Sequence, residues 1–305
     1  MKEYVEFRII MKYAHLLFKE DEGVNLGDTV KKVKIDPTLP IYKEIGKMQT
    51  YVREKYDDLF FSSYKYRRIY TEKELNSAKW FRMTCTRHFE PAGEECGTIY
   101  DEGAACPICG AGAKQISPLK LKRSTIPRAD MAVTIAWGEE AVVSEKFVEM
   151  VREKHLIGMD FEPVIGAGEQ GRRLNYYQIR PQNYFDLSKE TIFGINPFDF
   201  SGESPSYTWE YLNPNGTKVR KTFPPKIHKC LNGDNMGLNI LSEAHVKSDR
   251  RLEELDFFAS RQTVGGRMGL IRPYHLLFCS NRMMKLIKEY KLKGFKFEVA
   301  HIVDE

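Results

Sequence analysis

The chain has 305 residues, of which 42% are hydrophobic and 29% are charged, and its formal net charge is +5. This composition excludes a disordered chain, and the length allows a hydrophobic core without disulfide bonds. There is no run of about 18 apolar residues and no apolar segment typical of a signal peptide near the start, so we expect a cytoplasmic protein without a membrane partner.

Residues 1–84 are predicted to form a mixed N-terminal α/β region. Apolar and polar residues alternate at the start of the chain, which is typical of a strand. Apolar residues recur at helical spacing between Ile41 and Tyr56, which predicts a helix there. A short capped segment followed by a strand is expected over residues 71–84.

Four of the six cysteines lie within 25 residues, and two of them belong to the sequence Cys106-Pro-Ile-Cys109-Gly110. This sequence is typical of a zinc knuckle, because two thiolates three residues apart can bind one ion from a tight turn. Gly110 permits the left-handed backbone that such a turn requires. We therefore predict one structural Zn²⁺ at this turn. The alternative is a knuckle without metal, in which the other cysteines pack as small hydrophobic residues.

A tetrahedral zinc site needs two further ligands. Cys96 is the best third candidate, because it precedes the pair closely and is also followed by glycine. The fourth ligand is not fixed by the sequence: it can be a residue close to the cysteine pair or a residue much later in the chain. Cys85 takes first place, and the alternatives are His88, His228 and Cys230.

Two segments of the chain read alike, residues 142–165 and residues 277–302. Each predicts a short strand, a serine that caps a helix of about three turns, a glycine that ends the helix in the left-handed conformation, and an alternating strand. The serines are Ser144 and Ser280, and the glycines are Gly158 and Gly294. The similarity predicts two imperfect strand–helix–strand repeats and indicates duplication, not a particular activity.

These observations predict the α+β fold class and a division of the chain. Residues 85–167 would hold the zinc-knuckle segment and the first repeat. Residues 168–227 would form an insertion rich in strands and loops, with a hairpin at an Asn-Gly turn. Residues 228–305 would hold a degenerate knuckle and the second repeat.

No sequence pattern points to catalysis. Residues 166–171 fit the glycine pattern of a dinucleotide-binding loop, but the segment that follows is aromatic and strand-like. Without a helix N-terminus, the backbone amides that would bind a pyrophosphate are missing, so a glycine-rich hairpin turn is predicted. The seven histidines are scattered. We therefore predict no catalytic residue and no small-molecule substrate.

Three segments are rich in basic residues: 103–129, 212–230 and 281–296. The first two contain no acidic residue and adjoin the cysteine segments. A zinc knuckle framed by lysine, arginine and tyrosine can bind phosphate and stack on bases, which supports a zinc-ribbon nucleic-acid-binding protein as an alternative. The same residues would also suit a solvated surface or contact with an acidic protein.

The CPICG sequence and the pattern from the serine cap to Leu-x-Gly-x-x-Phe-Glu resemble bacterial double-CxxCG motif proteins. Those proteins are associated with immunity proteins of polymorphic, contact-dependent toxin systems. The resemblance covers roughly residues 93–167 and 228–303. The chain departs from the pattern at the second knuckle, where His228-Lys-Cys230 replaces a full CxxCG. The resemblance implies a binding protein, not an enzyme, that neutralises a cognate protein toxin by direct contact.

Overall fold

The computed structural model describes residues 1–107, 109–168, 171–194, 198, 207–212, 218–223 and 239–304. These residues contain five α-helices and twenty-two strands, which confirms the predicted α+β class. None of the helices among them is both long and apolar enough to span a bilayer. The chain divides into two compact units, one of Met1–Ser77 with Asn196–Ser204 and one of Ala78–Ile195 with Pro205–Glu305.

The N-terminal unit is a four-stranded antiparallel sheet in the order β2-β3-β1-β4 with a long helix. Alternation along the first strand places Val5, Phe7 and Ile9 in the core, where Phe7 stacks on Phe198 at 6.1 Å between ring centroids. The strand and the long helix confirm the sequence prediction. The elements are β1 (Lys2–Ile10), α1 (Met11–Ala14), β2 (Val24–Leu26), β3 (Val30–Ile35), α2 (Pro40–Tyr56), β4 (Phe61–Ile69) and α3 (Glu72–Ser77).

The second unit is built around two six-stranded sheets. Its first elements are β5 (Trp80–Cys85), β6 (His88–Phe89), β7 (Tyr100–Asp101), β8 (Lys114–Gln115), β9 (Lys120–Leu121), β10 (Met131–Thr134), β11 (Ala141–Ser144), α4 (Glu145–Glu153) and β12 (Met159–Gly166). They are followed by β13 (Arg173–Pro181), β14 (Tyr184–Phe185), β15 (Phe193–Gly194), β16 (Tyr207–Leu212), β17 (Lys218–Phe223), β18 (Asn239–Ile240), β19 (Ala244–Lys247), β20 (Phe257–Val264), β21 (Tyr274–Ser280), α5 (Asn281–Glu289) and β22 (Phe295–Val303).

The two six-stranded sheets have the same construction. The first sheet has the order β6-β10-β11-β13-β12-β9 and the second has the order β14-β20-β21-β5-β22-β19. In each sheet a strand before the helix and a strand after it lie on either side of one antiparallel central strand. The pairing register also agrees, since Ser144 lies opposite Tyr176 as Ser280 lies opposite Trp80. We call residues 80–166 the first half and residues 173–303 the second half of this unit.

The central strand of each sheet comes from the other half. Strand β5 of the first half lies between β21 and β22, and strand β13 of the second half lies between β11 and β12. Trp80 thereby enters the core of the second sheet, with its ring 4.8 Å from that of Phe258, while Tyr176 packs against the core of the first sheet. Separating the two halves would require breaking the centre of both sheets.

This exchange places the strand at Trp80–Cys85 in the second unit, whereas the sequence analysis assigns it to the N-terminal region. The local pattern identifies the strand but contains no information about its partners, which lie about 200 residues further along the chain.

The helices α4 and α5 begin as predicted. The Ser144 hydroxyl accepts a hydrogen bond from the Phe147 N–H at 3.3 Å, and the Ser280 hydroxyl accepts one from the Met283 N–H at 3.1 Å. Each cap satisfies one of the N–H groups that the first helical turn leaves unpaired. Both serine caps are therefore confirmed.

The prediction that Gly158 and Gly294 end the helices is wrong. The left-handed residue at each end is His155 (φ 50°) or Lys291 (φ 53°). The Leu156 N–H donates to the Val151 carbonyl at 3.0 Å, and an equivalent bond of 3.0 Å follows Lys291. This pattern is the Schellman motif, and here His155 and Lys291 take the left-handed position that glycine usually occupies.

The two glycines serve a close approach between the halves instead. A Cβ atom at Gly158 would lie 1.9 Å from the Phe257 carbonyl oxygen, and one at Gly294 would lie 2.1 Å from the Met131 carbonyl oxygen. Both glycines also have positive φ values, 118° and 102°. Only glycine allows each helix–strand turn to lie this close to a strand of the opposite half.

Two aspartates join the same turns to the serine caps. Asp130 accepts hydrogen bonds from the Ser144 hydroxyl at 2.8 Å and from the Lys293 N–H at 2.7 Å. Asp256 accepts the equivalent bonds from the Ser280 hydroxyl at 2.8 Å and from the Ile157 N–H at 3.3 Å. Each aspartate thus connects a helix start in its own half to a helix end in the other.

Both predicted hairpins are confirmed. Strands β12 and β13 pair antiparallel around the glycine-rich segment, so the described residues there continue into a strand and not into a nucleotide-binding helix. Strands β16 and β17 pair antiparallel over the segment assigned to the second hairpin. The Asn-Gly turn itself lies outside the described residues.

Candidate functional site

The CPICG segment forms a tight turn between the short paired strands β7 and β8. The Gly110 N–H donates to the Cys106 carbonyl at 2.8 Å, and the Cys106 N–H donates to the Ala111 carbonyl at 2.7 Å. Gly110 has φ +76°, so the predicted left-handed glycine is confirmed. Cys109 is fully buried. The left-handed glycine agrees with the sequence pattern, and the zinc knuckle itself stays a prediction.

The other nearby candidates have different environments. Cys85 ends strand β5, and its Sγ lies 3.3 Å from the Arg87 carbonyl oxygen and 3.4 Å from that of Met131. Cys96 ends a short 3-10 turn at Glu94–Cys96. Burial raises the pKa of both thiols.

His88 stacks on the Trp137 ring at 5.5 Å between centroids. His228 and Cys230 lie outside the described residues. Across the residues that the structure does describe, no group of three or more His, Cys, Asp or Glu side chains is placed to hold a metal ion. The described turn thus carries the thiols of Cys106 and Cys109, but the described residues do not bring four ligands together. The structural zinc stays a prediction.

A buried ionic cluster anchors the cysteine turn to the second half. Arg267 and Arg272 are 8% and 5% exposed, and both form ion pairs with Glu94 and Glu102 at 2.8 to 3.2 Å. The Arg267 N–H also donates to the Cys109 carbonyl at 2.7 Å. Two arginines and two carboxylates compensate each other in charge. The cluster therefore holds the fold together and does not form an open anion site.

A buried carboxylate completes this region. Glu140 is 1% exposed and accepts hydrogen bonds from the Tyr100 hydroxyl at 2.7 Å, from the Gly93 N–H at 2.8 Å and from the Thr134 hydroxyl. Burial, followed by the neighbouring Glu140 charge, raises the pKa of Tyr100. The Arg272 guanidinium lies 3.8 Å from the Tyr100 ring centroid. Every polar atom of Glu140 has a partner, so this network is structural. The sequence analysis missed it, because its members are far apart in the chain.

Helices α4 and α5 contact each other in a reciprocal way. The Lys146 ammonium in the first turn of α4 donates to the Tyr290 carbonyl at the end of α5, at 2.8 Å. The Arg282 guanidinium in the first turn of α5 donates to the Lys154 carbonyl at the end of α4, at 2.6 Å. Each cation thus interacts with the negative end of the opposite helix. The two helices occupy equivalent structural positions.

The surface charges of these equivalent helices differ. Residues 145–157, which comprise α4 and its following turn, contain three basic and three acidic residues. Residues 281–293, which comprise α5 and its following turn, contain five basic residues and one acidic residue. The first segment has a formal charge of zero and the second a formal charge of +4. The contacts that recur in both helices, the serine caps and the cations at the helix ends, do not account for this difference.

Four lysines carry most of the excess charge: Lys285, Lys288, Lys291 and Lys293. All four are exposed, and within the described part of the chain none of them takes part in an ion pair. Like charges three residues apart on a helix repel each other and reduce its stability by a few tenths of a kcal/mol per pair. The sequence analysis identifies this basic segment, but only the comparison with α4 shows that the fold does not require its charge. No protein-family model and no curated protein matches this chain.

Proposed function

We propose that this protein neutralises a cognate bacterial toxin by direct binding. The observation that carries the proposal is the exposed positive charge of α5 and its following turn, where four lysines have no ion pair among the described residues. The nature of the partner comes from the double-CxxCG resemblance, which implies a protein toxin. In this proposal the strand-exchanged sheets provide a rigid support, and the exposed lysines contact acidic groups of the toxin.

The charge of α5 and its following turn supports a role in binding, because it reduces the stability of the helix and makes no compensating contact among the described residues. Four lysines that form no ion pair within the described part of the chain repel each other on one short segment, while α4 packs in the equivalent position with balanced charges. Residues that break a local rule without a compensating contact are expected at functional sites. A surface that contacts acidic groups would recover the cost upon binding.

The described residues support binding more than catalysis. The buried charged residues at the cysteine turn pair with one another, and the Glu140 carboxylate accepts from three donors. General acid–base chemistry needs an ionisable group that reaches a substrate. The Glu140 carboxylate is 1% exposed and does not reach solvent, and the Arg267 and Arg272 guanidinium groups are paired with Glu94 and Glu102.

The experiment is growth rescue in bacteria that express the toxin domain encoded next to this gene. We expect co-expression of the full chain to restore growth, and the purified proteins to form a complex in size-exclusion chromatography. The control is co-expression with an unrelated toxin, which should stay lethal. Failure to rescue, together with the absence of a complex, would overturn the proposal.

The alternative is a zinc-ribbon nucleic-acid-binding protein, and the α5 lysines are the observation that favours it. A phosphate backbone would bind the same charges, and its affinity would fall steeply with salt. Retention of the chain on single-stranded oligonucleotide at 50 mM salt, and its loss at about 200 mM, would support this alternative. The toxin proposal expects no such retention.

A further inference from the structure

A loop of the first half continues the basic surface of α5. The Lys293 carbonyl accepts hydrogen bonds from the Asp130 N–H at 2.9 Å and from the Met131 N–H at 3.0 Å. These contacts place the turn after α5 beside the end of the loop 122–129. That loop contains three basic residues and no acidic residue. Its Arg123 and Arg128 side chains are exposed.

The equivalent loop of the second half lies beside the turn after α4. The Ile157 carbonyl accepts hydrogen bonds from the Asp256 N–H at 2.9 Å and from the Phe257 N–H at 3.0 Å. The segment there, residues 247–255, comprises Lys247 at the end of β19 and the loop that follows, and it contains three basic and three acidic residues. Asp249 pairs with Arg251 at 2.6 Å. We call segments 281–293 and 122–129 the basic pole, and segments 145–157 and 247–255 the opposite pole.

The two poles have the same backbone contacts and different charges. The basic pole contains eight basic residues and one acidic residue, and the opposite pole contains six of each. The excess charge lies on two elements, far apart in sequence, that meet only through the exchanged arrangement of the halves. Two adjacent segments of the same sign add their potentials and form one positively charged surface.

We infer that the basic pole is the surface that binds the partner, and that it fits an acidic face of a globular protein. This inference rests on the proposed function and specifies where the toxin is bound. Charged surfaces of opposite sign raise the rate of association and select the partner. The lysine side chains can adapt to separate carboxylates, since each ends in a single mobile ammonium group.

The aromatic residue of the basic pole argues against a nucleic acid. Binding of single strands combines basic residues with aromatic rings on which bases stack. Here the Tyr290 hydroxyl donates to Glu153 at 2.9 Å, and the Lys154 ammonium lies 5.7 Å from the Tyr290 ring centroid. Tyr290 is thus engaged by α4.

The test reverses charge on the two poles of the full chain. One variant carries Lys285→Glu and Lys288→Glu on the basic pole. The matched control carries Arg152→Glu and Arg250→Glu on the opposite pole. Both variants change the net charge by the same amount at exposed positions. Urea unfolding should show that both keep the stability of the wild type within about 0.5 kcal/mol.

The measurement is binding to the purified toxin domain encoded next to the gene, at 50 and 300 mM salt, with growth rescue in parallel. We expect the basic-pole variant to bind about 10- to 100-fold more weakly, mainly through slower association, and the control to bind like the wild type. A 20-nucleotide single strand serves as the second probe and should bind neither variant nor the wild type.

The outcomes separate this inference from the proposed function. Normal binding and rescue by the basic-pole variant would overturn the inference and leave the toxin function intact. An equal loss in the control would show that overall charge matters and not the pole, which also overturns it. Salt-sensitive binding of the oligonucleotide that disappears in the basic-pole variant would identify a nucleic-acid surface. A wild-type chain that neither binds nor rescues would overturn both proposals.

Discussion

The two halves of the second unit keep the same contacts around their helices and differ in the charge of those helices. The serine caps, the aspartates, the Schellman ends and the reciprocal lysine and arginine contacts recur position by position. Charge does not recur, since the segment of α5 has a formal charge of +4 and that of α4 a charge of zero. Comparing the two halves of this one chain therefore shows which residues the fold requires.

The comparison distinguishes two kinds of residue. Residues that recur serve contacts between the halves, because each half supplies strands or turns to the other. Residues that differ on the exposed helix faces are not needed for those contacts and are available for binding. This distinction yields predictions about stability in which the two halves should respond alike, and one in which they should respond differently.

The largest effect is expected at the glycines after the two helices. Gly158→Ala and Gly294→Ala should each reduce the free energy of unfolding by about 3 kcal/mol or more, because the new Cβ would meet a backbone carbonyl and the backbone has positive φ. Urea unfolding measures the change. Gly168→Ala is the control: it has φ +73° but no neighbouring atom within 4 Å, so about 1 kcal/mol is expected. A large effect at only one of the two helix-end glycines would contradict the equivalence of the halves.

A smaller effect is expected at the aspartates that join the halves. Asp130→Ala and Asp256→Ala should each reduce stability by about 2 kcal/mol, because each removes the acceptor for a serine hydroxyl and for a turn N–H. Chemical denaturation monitored by tryptophan fluorescence gives the value. Asp160→Ala, at an exposed site, should change stability by less than about 0.5 kcal/mol. Two aspartate variants that differ by more than about 1 kcal/mol would show that the links between the halves are unequal in strength.

These contacts mark the limit of what the sequence predicts. Serine caps and the left-handed Gly110 depend on a few neighbouring residues, so spacing alone identifies them. The prediction of the helix ends is wrong because it treats the glycine as the helix cap. The backbone conformation of Gly158 instead allows a close contact with a strand about 100 residues away. Local spacing cannot reveal such a contact.

The same limit applies to the candidate sites. The cysteine turn could be predicted, but the arginines packed against it could not, because Arg267 and Arg272 lie more than 170 residues from Glu94. The basic segment at 281–296 is visible in the sequence as well. Only the structure shows that the equivalent helix α4 lacks this excess charge and that loop 122–129 lies beside the turn after α5.

The smallest effect is expected where the halves differ in titratable groups. In the second half, His245 and His301 lie opposite each other on β19 and β22, with ring centroids 4.8 Å apart. Lys120 and Ile165 lie opposite each other at the equivalent position of the first half. Among the described residues, this position therefore holds a histidine pair in the second half and no histidine in the first.

The hydrogen bond from His301 Nε2 to Glu243, at 2.6 Å, raises the pKa of His301 above its usual value of 6.5. A raised pKa in the folded state means that the stabilisation is complete below pH 6.5 and is lost as the pH rises through the folded value. His301→Gln should remove this pH-dependent part. The effect should stay below about 1 kcal/mol, because the side chain is partly exposed and solvent screens the pair.

The measurement is the free energy of unfolding between pH 5 and pH 8.5 for the wild type and for His301→Gln. The difference between the two should be largest at the acidic end and shrink as the pH rises. His275 provides an internal check of sign, because burial lowers its pKa and its charged form is disfavoured in the folded state. Removing it with His275→Gln should relieve a loss of stability at acidic pH, opposite to the effect at His301. A His301 variant whose pH profile runs parallel to that of the wild type would show that the contact with Glu243 does not hold a proton in solution.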